Sequence, residues 1–271
     1  MPELPEVETV ARGLDKHIAG EAIESVWLGS KPEPLKSSTE EMVAALESKT
    51  ISSVRRVGKH VVFDLASSNG APAKNTQWIV HLGMTGSLRV SAPDVPIEKH
   101  THAILKFSSG RELRFVDPRR FGRLSVIEKF VAPGSEPLHI SFEDFAKLFR
   151  KRKTPIKSAL LNQKLLSGVG NIYTDEALFR AKIRPSRRAA SLTRDESRKL
   201  HVALKKVLKE AIRLGGSSIS DYVDADGEEG FFQLKHRVYG REDKPCLVCK
   251  TPIKRVVIAG RSSHYCRQCQ N

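Results

Sequence analysis

The 271-residue sequence has no apolar run long enough to cross a bilayer as a helix. It also lacks the basic and then apolar opening of a secretory leader. Glu3, Glu6 and Glu8 all precede the first basic residue, Arg12. Neither a membrane protein nor an exported one is expected, and a cytoplasmic setting is what the reading points to. There is no cysteine before Cys246, and all four lie within the last 26 residues. This clustering favours thiols committed to one local purpose in a reducing compartment over the competing reading, a disulfide pair. No internal repeat or low-complexity tract is present, so a solenoid is excluded too. What the second half lacks is acid. Residues 1–133 hold 18 Lys and Arg against 16 Asp and Glu, whereas residues 134–271 hold 28 against 15. The formal net charge of +15 is therefore concentrated in the C-terminal half, which favours a polyanionic partner, nucleic acid foremost.

What is present is patterned. Leu4, Val7, Ala11, Leu14 and Ile18 step by three and four, one face of a helix, with Pro5, Glu6 and Glu8 suited to its first turns. From about residue 22 to 130 short β-rich runs follow, "TISSVRRV", "KHVVFDL", "QWIVHL", "SLRVS", "HAILKF", "ELRFV" and "GRLSVIE", punctuated by Gly, Pro and Asn. They predict an antiparallel sandwich or barrel. "VAPGSEPLHI" reads as a linker. Beyond it the period is helical in "SFEDFAKLFRKR", "TPIKSALLNQKLL", "NIYTDEALFRA" and a long stretch opened by a Thr193/Glu196 capping box and closed at Gly215. The architecture expected is a β-rich N-terminal domain, a helical middle and a small metal-stapled end.

The sharpest chemical signal is Cys246-x2-Cys249-x16-Cys266-x2-Cys269, a spacing that suits one tetrahedral zinc ion. Four thiolates leave no position for water, so the zinc is structural. "IKRVVIAGRSSHYC" reads as a hairpin presenting Arg261 near its turn, suited to a phosphate. In "SGVGNIY", small residues before a helix start suit a phosphate as well as a simple connection. "HLGMTG" and "DPRRFG" are loops after strands. By pattern alone Met84 and Phe121 pack a core, and the alternative is that they wedge into a duplex. For the opening, the plain reading is a helix start. The chemical one is that removal of Met1 leaves Pro2 with a secondary amine, a nucleophile that yields an iminium, with Glu3 beside it as general acid.

Taken together, "MPELPEVETV", "HLGMTGSLR", "DPRRFG", "GVGNIY", "VYGREDKPC" and "HYCRQCQ" resemble, in order and spacing, the bacterial formamidopyrimidine-DNA glycosylases, repair enzymes for oxidised purines. The likeness covers essentially the whole chain. It implies an α+β, two-domain fold: an N-terminal β-sandwich flanked by helices, and a C-terminal helix-two-turn-helix domain with a four-cysteine zinc finger, DNA running through the cleft between the two parts. The boundaries expected are 1–133 for the catalytic sandwich, 134–151 for the linker and start of the helical region, 152–240 for the helix-two-turn-helix domain with its lesion-recognition loop, and 241–271 for the finger. The resemblance implies a monomeric DNA glycosylase with AP lyase activity whose partner is double-stranded DNA containing oxidised bases.

Carried over residue by residue, Pro2 is the nucleophile at C1′ and Glu3 the proton donor to the sugar oxygen. Lys59 serves β-elimination, and Arg261 serves phosphate binding and δ-elimination. His81, His100, Arg152 and Asn171 contact DNA. Met84, Arg119 and Phe121 fill the void left by the flipped nucleotide. "SSISDYVDADGEEGFF" is the mobile segment over the everted base. The polar stretch "SSNGAPAKN" looks longer than the family's connection and puts loop geometry in doubt. Two other readings compete. The sibling enzyme for oxidised pyrimidines typically opens "MPEGPE", against Leu4 here. A non-catalytic DNA-bending protein has no need of Pro2, Glu3 and Lys59 together.

Overall fold

The computed structural model describes all residues except 68–75, 219–221 and 226. The chain divides into two compact units, Met1–Val131 with Gly215–Gly230, and Ala132–Leu214 with Phe231–Asn271. Most of "SSNGAPAKN" and part of "SSISDYVDADGEEGFF" lie outside the described residues.

In the first unit the opening stripe does form one helix, α1 (Leu4–Ile18), and its five stripe residues are buried. Glu3 is its N-cap within a reciprocal capping box with Glu6, and proline stands in the first turn, where a missing N–H costs nothing. After it come β1 (Ile23–Leu28), α2 (Thr39–Leu46), β2 (Lys49–Val57), β3 (His60–Ser67), β4 (Gln77–His81), β5 (Ser87–Ser91), β6 (Thr101–Phe107), β7 (Glu112–Val116) and β8 (Arg123–Ile127). Among the described residues they make two four-stranded sheets, ordered β1-β6-β7-β5 and β2-β3-β4-β8, with every pair antiparallel.

Alternate residues of both sheets, Phe63, Val80 and Leu124 from one, Leu105, Leu113 and Phe115 from the other, share a single core with the apolar face of α1. Each such side chain contributes about 1.5–3 kcal/mol by leaving water. The sandwich is as expected. Helix α2 is a departure inside the β-rich stretch. Ser38 and Glu41 form a capping box, and Met42 and Leu46, four apart, bury one face.

In the second unit the helices are α3 (Phe142–Phe149), α4 (Ile156–Leu161), α5 (Asn171–Arg180) and α6 (Arg194–Arg213), followed by the hairpin β9 (Lys254–Ile258) and β10 (Arg261–Tyr265). Helix α6 opens on the expected Thr193/Glu196 capping box. Helix α5 is buried from Ile172 to Phe179, including three polar residues in a row, Thr174, Asp175 and Glu176. Such burial demands internal partners. Among the described residues no helix is long and apolar enough to cross a membrane.

Candidate active site and nucleic-acid interface

In the first unit the chain start is built into the fold rather than trailing from it. Pro2 and Glu3 are buried, while Met1 is exposed. The Glu3 N–H donates to Glu6 Oε2 at 2.8 Å, and Glu6 Oε1 accepts the Ser217 N–H at 2.8 Å. Glu6, assigned by sequence only to the helix dipole, therefore joins the start of α1 to the 215–230 segment. The Tyr222 hydroxyl adds a bond to the Glu6 carbonyl at 3.2 Å. A Cβ at Gly216 would stand 2.9 Å from Glu6 Oε1, which explains why this close approach falls on a glycine. Glu8 serves differently, pairing with Arg12 and with the nearly buried Arg56 at 2.7 Å.

Arg56 in turn donates to the Gly58 carbonyl. That carbonyl belongs to the two-residue turn Gly58-Lys59 that closes β2 onto β3, where Gly58 supplies the positive φ of 62°. Lys59 is thus presented from a rigid hairpin rather than a loose loop.

Across from it, at the end of β4, His81 Nδ1 accepts the Gly83 N–H at 3.1 Å, so the ring proton sits on Nε2. Burial, then the neighbouring His60, Lys59 and Arg123, lowers the His81 pKa to about 4. The ring is therefore a neutral N–H donor at neutral pH. Between the ordinary value of 6.5 and about 4, the unfolded chain binds the extra proton and the folded one does not. His81 accordingly favours the folded state above pH 6.5 and withdraws that support as pH falls, by roughly 3 kcal/mol at the acid end. A ring-proton NMR titration should give a midpoint near 4. A midpoint at the ordinary histidine value would contradict the buried neutral donor.

The loops that follow β4 and β7 interlock. A Cβ at Gly83 would meet the Gly122 nitrogen at 2.5 Å, and one at Gly122 would meet the Phe115 ring at 2.5 Å. Met84 and Phe121 are exposed, which overturns the core reading of their pattern. The Arg119 guanidinium lies 4.7 Å from the centre of the Phe121 ring. The organiser is Asp117, a residue that sequence reading did not single out. Fully buried, it accepts the Gly122 N–H at 2.7 Å, the Arg119 N–H at 3.2 Å and the Thr85 hydroxyl at 2.5 Å. Asp117→Ala leaves these donors unmet, and a loss of about 2–3 kcal/mol is expected in urea unfolding. An unchanged midpoint would remove Asp117 from this role. His100 has an exposed side chain, and its carbonyl accepts the Asp117 N–H at 2.9 Å.

In the second unit the polar residues of α5 find their partners. The Lys157 ammonium, on α4 and wholly buried, donates to Asp175 Oδ1 at 2.6 Å and to the Ser262 carbonyl at 2.6 Å. Asp175 Oδ2 accepts the His264 N–H at 2.8 Å, and Asn171 Nδ2 donates to Ser262 Oγ at 3.2 Å. One buried ion pair thus ties α4 and α5 to β10, the strand that begins with the exposed Arg261. Glu176 Oε1 accepts three consecutive N–H groups, from Arg237, Val238 and Tyr239. Burial nevertheless pushes its pKa upward. Gln163 braces the turn before α5, donating to the Leu161 and Val169 carbonyls and accepting the Gly168 N–H. Arg152 is exposed, its Nε donating to the Leu148 carbonyl at 2.6 Å. Nothing in the sequence marks Lys157, Asp175 and Glu176, because a buried charged residue looks there like any charged residue on a helix.

The four cysteines meet. Their sulfurs lie within 4.8 Å of one another, with Cys246 to Cys269 at 4.0 Å and Cys249 to Cys266 at 3.4 Å. A tetrahedral zinc with bonds of about 2.3 Å needs sulfurs roughly 3.8 Å apart, so the set fits one structural zinc ion. Zinc there cross-links the two knuckles on either side of the β9–β10 hairpin, whose turn residues Ala259 and Gly260 both have positive φ.

A sandwich whose first helix is capped at a buried chain start, a helical unit and a four-cysteine finger are the plan of one class of DNA-repair glycosylase. Three family models match. They are the formamidopyrimidine-DNA glycosylase N-terminal domain over residues 1–124, its H2TH domain over 132–223, and the zinc finger found in FPG and IleRS over 243–271. The chain belongs to the formamidopyrimidine-DNA glycosylase family and is a DNA glycosylase with AP lyase activity. It is 47% identical over 274 residues to the formamidopyrimidine-DNA glycosylase of Solibacter usitatus (strain Ellin6076), covering 100% of this chain and 99% of that one. Among solved structures, it is similar to wild-type Lactococcus lactis Fpg (MutM) in complex with a DNA containing N7-benzyl-Fapy-dG. There the TM-score is 0.90 at 36% identity over 100% of both chains. The MutM (Fpg) protein of Thermus thermophilus gives a TM-score of 0.86 at 41% identity, covering 99% of this chain and 98% of that one.

Proposed function

We propose that the protein is a bifunctional base-excision repair enzyme. It excises oxidised purines, 8-oxoguanine and formamidopyrimidines, from duplex DNA and then cleaves the strand by β,δ-elimination, acting as a monomer in the bacterial cytoplasm or nucleoid. The observation that carries the reading is the chain start. Pro2 stands buried beside the buried carboxyl of Glu3, whose backbone is held by Glu6.

Met1 is exposed, and its removal frees the secondary amine of Pro2. An α-amino group titrates at about 7.7–8.0, so an appreciable fraction is unprotonated at neutral pH. Its lone pair attacks C1′, the glycosidic bond breaks, and the base leaves with the bonding pair and a proton from solvent. The attacking nitrogen gives up its N–H proton to solvent, Glu3 protonates the sugar ring oxygen, and the freed nitrogen lone pair expels that oxygen from C1′ to leave a C1′=N⁺ iminium. That cation acidifies C2′. Lys59 removes the C2′ proton, and the C3′–O bond breaks with the phosphate as leaving group. Loss of the C4′ proton then breaks the C5′–O bond, with Arg261 holding the second phosphate. Water hydrolyses the iminium and returns the amine.

Access to C1′ requires the nucleotide to leave the stack. Met84, Arg119 and Phe121 occupy the gap, supported by their exposure and by the Arg119–Phe121 stacking. His81, His100, Arg152 and Asn171 hold the backbone, His81 as the neutral donor. The "SSISDYVDADGEEGFF" segment closes over the everted base.

The test is borohydride trapping on an 8-oxoguanine·cytosine duplex, with mass spectrometry of the N-terminal peptide, for wild type and Pro2→Gly. An adduct on a methionine-free Pro2 is expected. Duplex binding without an adduct, with zinc present and the N-terminus processed, would leave a DNA-binding protein instead. An adduct on a lysine would move the nucleophile and return Pro2 to helix punctuation.

A further inference from the structure

Helix α6 carries a second charged feature that the proposed chemistry does not use. Lys199, Val202, Ala203 and Lys206 recur at helical spacing and line one side of an open trough of about 720 Å³. Arg180, from the end of α5, and Arg237 line it as well. Two other cations of α6, Lys205 and the trough-lining Arg198, are already engaged. Lys205 donates to the Ile140 carbonyl at 2.8 Å, and the Arg198 guanidinium lies 4.0 Å from the centre of the Phe142 ring. Lys199 and Lys206, by contrast, have no ion-pair partner among the described residues. Val202 is 59% exposed between them.

The trough is separate from the Asn171–Ser262 pair. Arg180 lies nine residues beyond Asn171 on α5, about 13 Å of helical rise.

We propose that this trough docks an acidic peptide segment carrying an aliphatic side chain, from a partner protein. Charge complementarity identifies the class. The carboxylates of such a segment meet Lys199, Lys206 and the fork of Arg237, which suits a planar carboxylate. Its aliphatic side chain covers Val202 and Ala203. A nucleic-acid backbone fits less well. Two carboxylates, Asp195 and Glu210, also line the trough and repel phosphates, and Val202 offers a phosphodiester nothing. To a peptide the same carboxylates are acceptors for backbone N–H groups. Glu210 is further steadied by Arg180 at 2.7 Å.

The experiment uses the full-length zinc-loaded protein and a fluorescein-labelled synthetic peptide of aspartate and glutamate with a central leucine, read by anisotropy. A second peptide replaces the leucine with serine. The leucine peptide should bind more tightly than the serine peptide. Lys199→Gln/Lys206→Gln should weaken it about tenfold, and Val202→Ser severalfold, with affinity for an undamaged duplex unchanged. Absence of binding, equal binding of both peptides, or binding indifferent to these variants would overturn the proposal. Loss of duplex affinity in the variants would do so too, making the trough a nucleic-acid surface. Should the double variant fail to unfold cooperatively, Lys206→Gln alone carries the same comparison.

Discussion

Replacing Glu3 by glutamine should lower base excision by about a hundred- to ten-thousand-fold while leaving the fold and the trapping of pre-formed abasic sites largely intact. The separation follows from the two capacities proposed for Glu3. As the N-cap of α1 it needs only an acceptor oxygen for the Glu6 N–H, and glutamine retains one. As proton donor it needs an ionisable carboxyl, and glutamine has none. An opened abasic sugar already presents an aldehyde to the Pro2 amine, with no ring oxygen to protonate and no base to expel. Single-turnover excision from an 8-oxoguanine duplex, measured beside borohydride trapping on an abasic duplex, gives the two rates. Equal losses in both would take the proton-donor role from Glu3 and leave it as a cap.

Removing the zinc should abolish duplex binding and leave the first unit folded. The apolar cluster of the finger is small, Val238, Ile253 and Phe179 around the cysteines. A structural zinc contributes on the order of 10–16 kcal/mol of apparent binding free energy to such a domain. So few apolar side chains cannot hold four deprotonated sulfurs together without the metal. When the finger opens, β10 loses its register, and with it the placement of Arg261 and of the Ser262 hydroxyl that accepts from Asn171. Lys157 and Asp175 are then left without the Ser262 carbonyl and the His264 N–H. Among the described residues, the core of the first unit contains no residue of the finger. Circular dichroism and duplex binding before chelation, after it, and after zinc is restored should therefore show lost binding and recovery with a retained sandwich. Collapse of the whole β signal would contradict two independent cores. Unchanged binding would free the phosphate grip from the metal.

Local periodicity and short motifs told much of this in advance. The stripe from Leu4 to Ile18, the Thr193/Glu196 capping box and the strands from β2 to β8 are nearest-neighbour patterns, visible because burial repeats every two or about 3.6 residues. The cysteine spacing is visible for a similar reason: two tight knuckles must each present a pair of sulfurs to one ion. Helix α2 was hidden by its brevity among strands. The pattern misplaces Met84 and Phe121, since an exposed apolar side chain looks in sequence like one kept inside.

The class of the elements, their order, the four-cysteine set and the concentration of positive charge in the second half could all be read from the order of residues alone. The tertiary structure decided which polar residues are buried and with whom. Glu6 meets Ser217 across 211 positions, and Asp175 meets His264 across 89. It also assigned Gly215–Gly230 to the same unit as α1, and placed Asp117 beneath the Arg119–Phe121 loop. The physical reason is that a buried carboxylate is tolerated only where several donors converge on it, and such convergence is a property of folded space rather than of spacing along the chain.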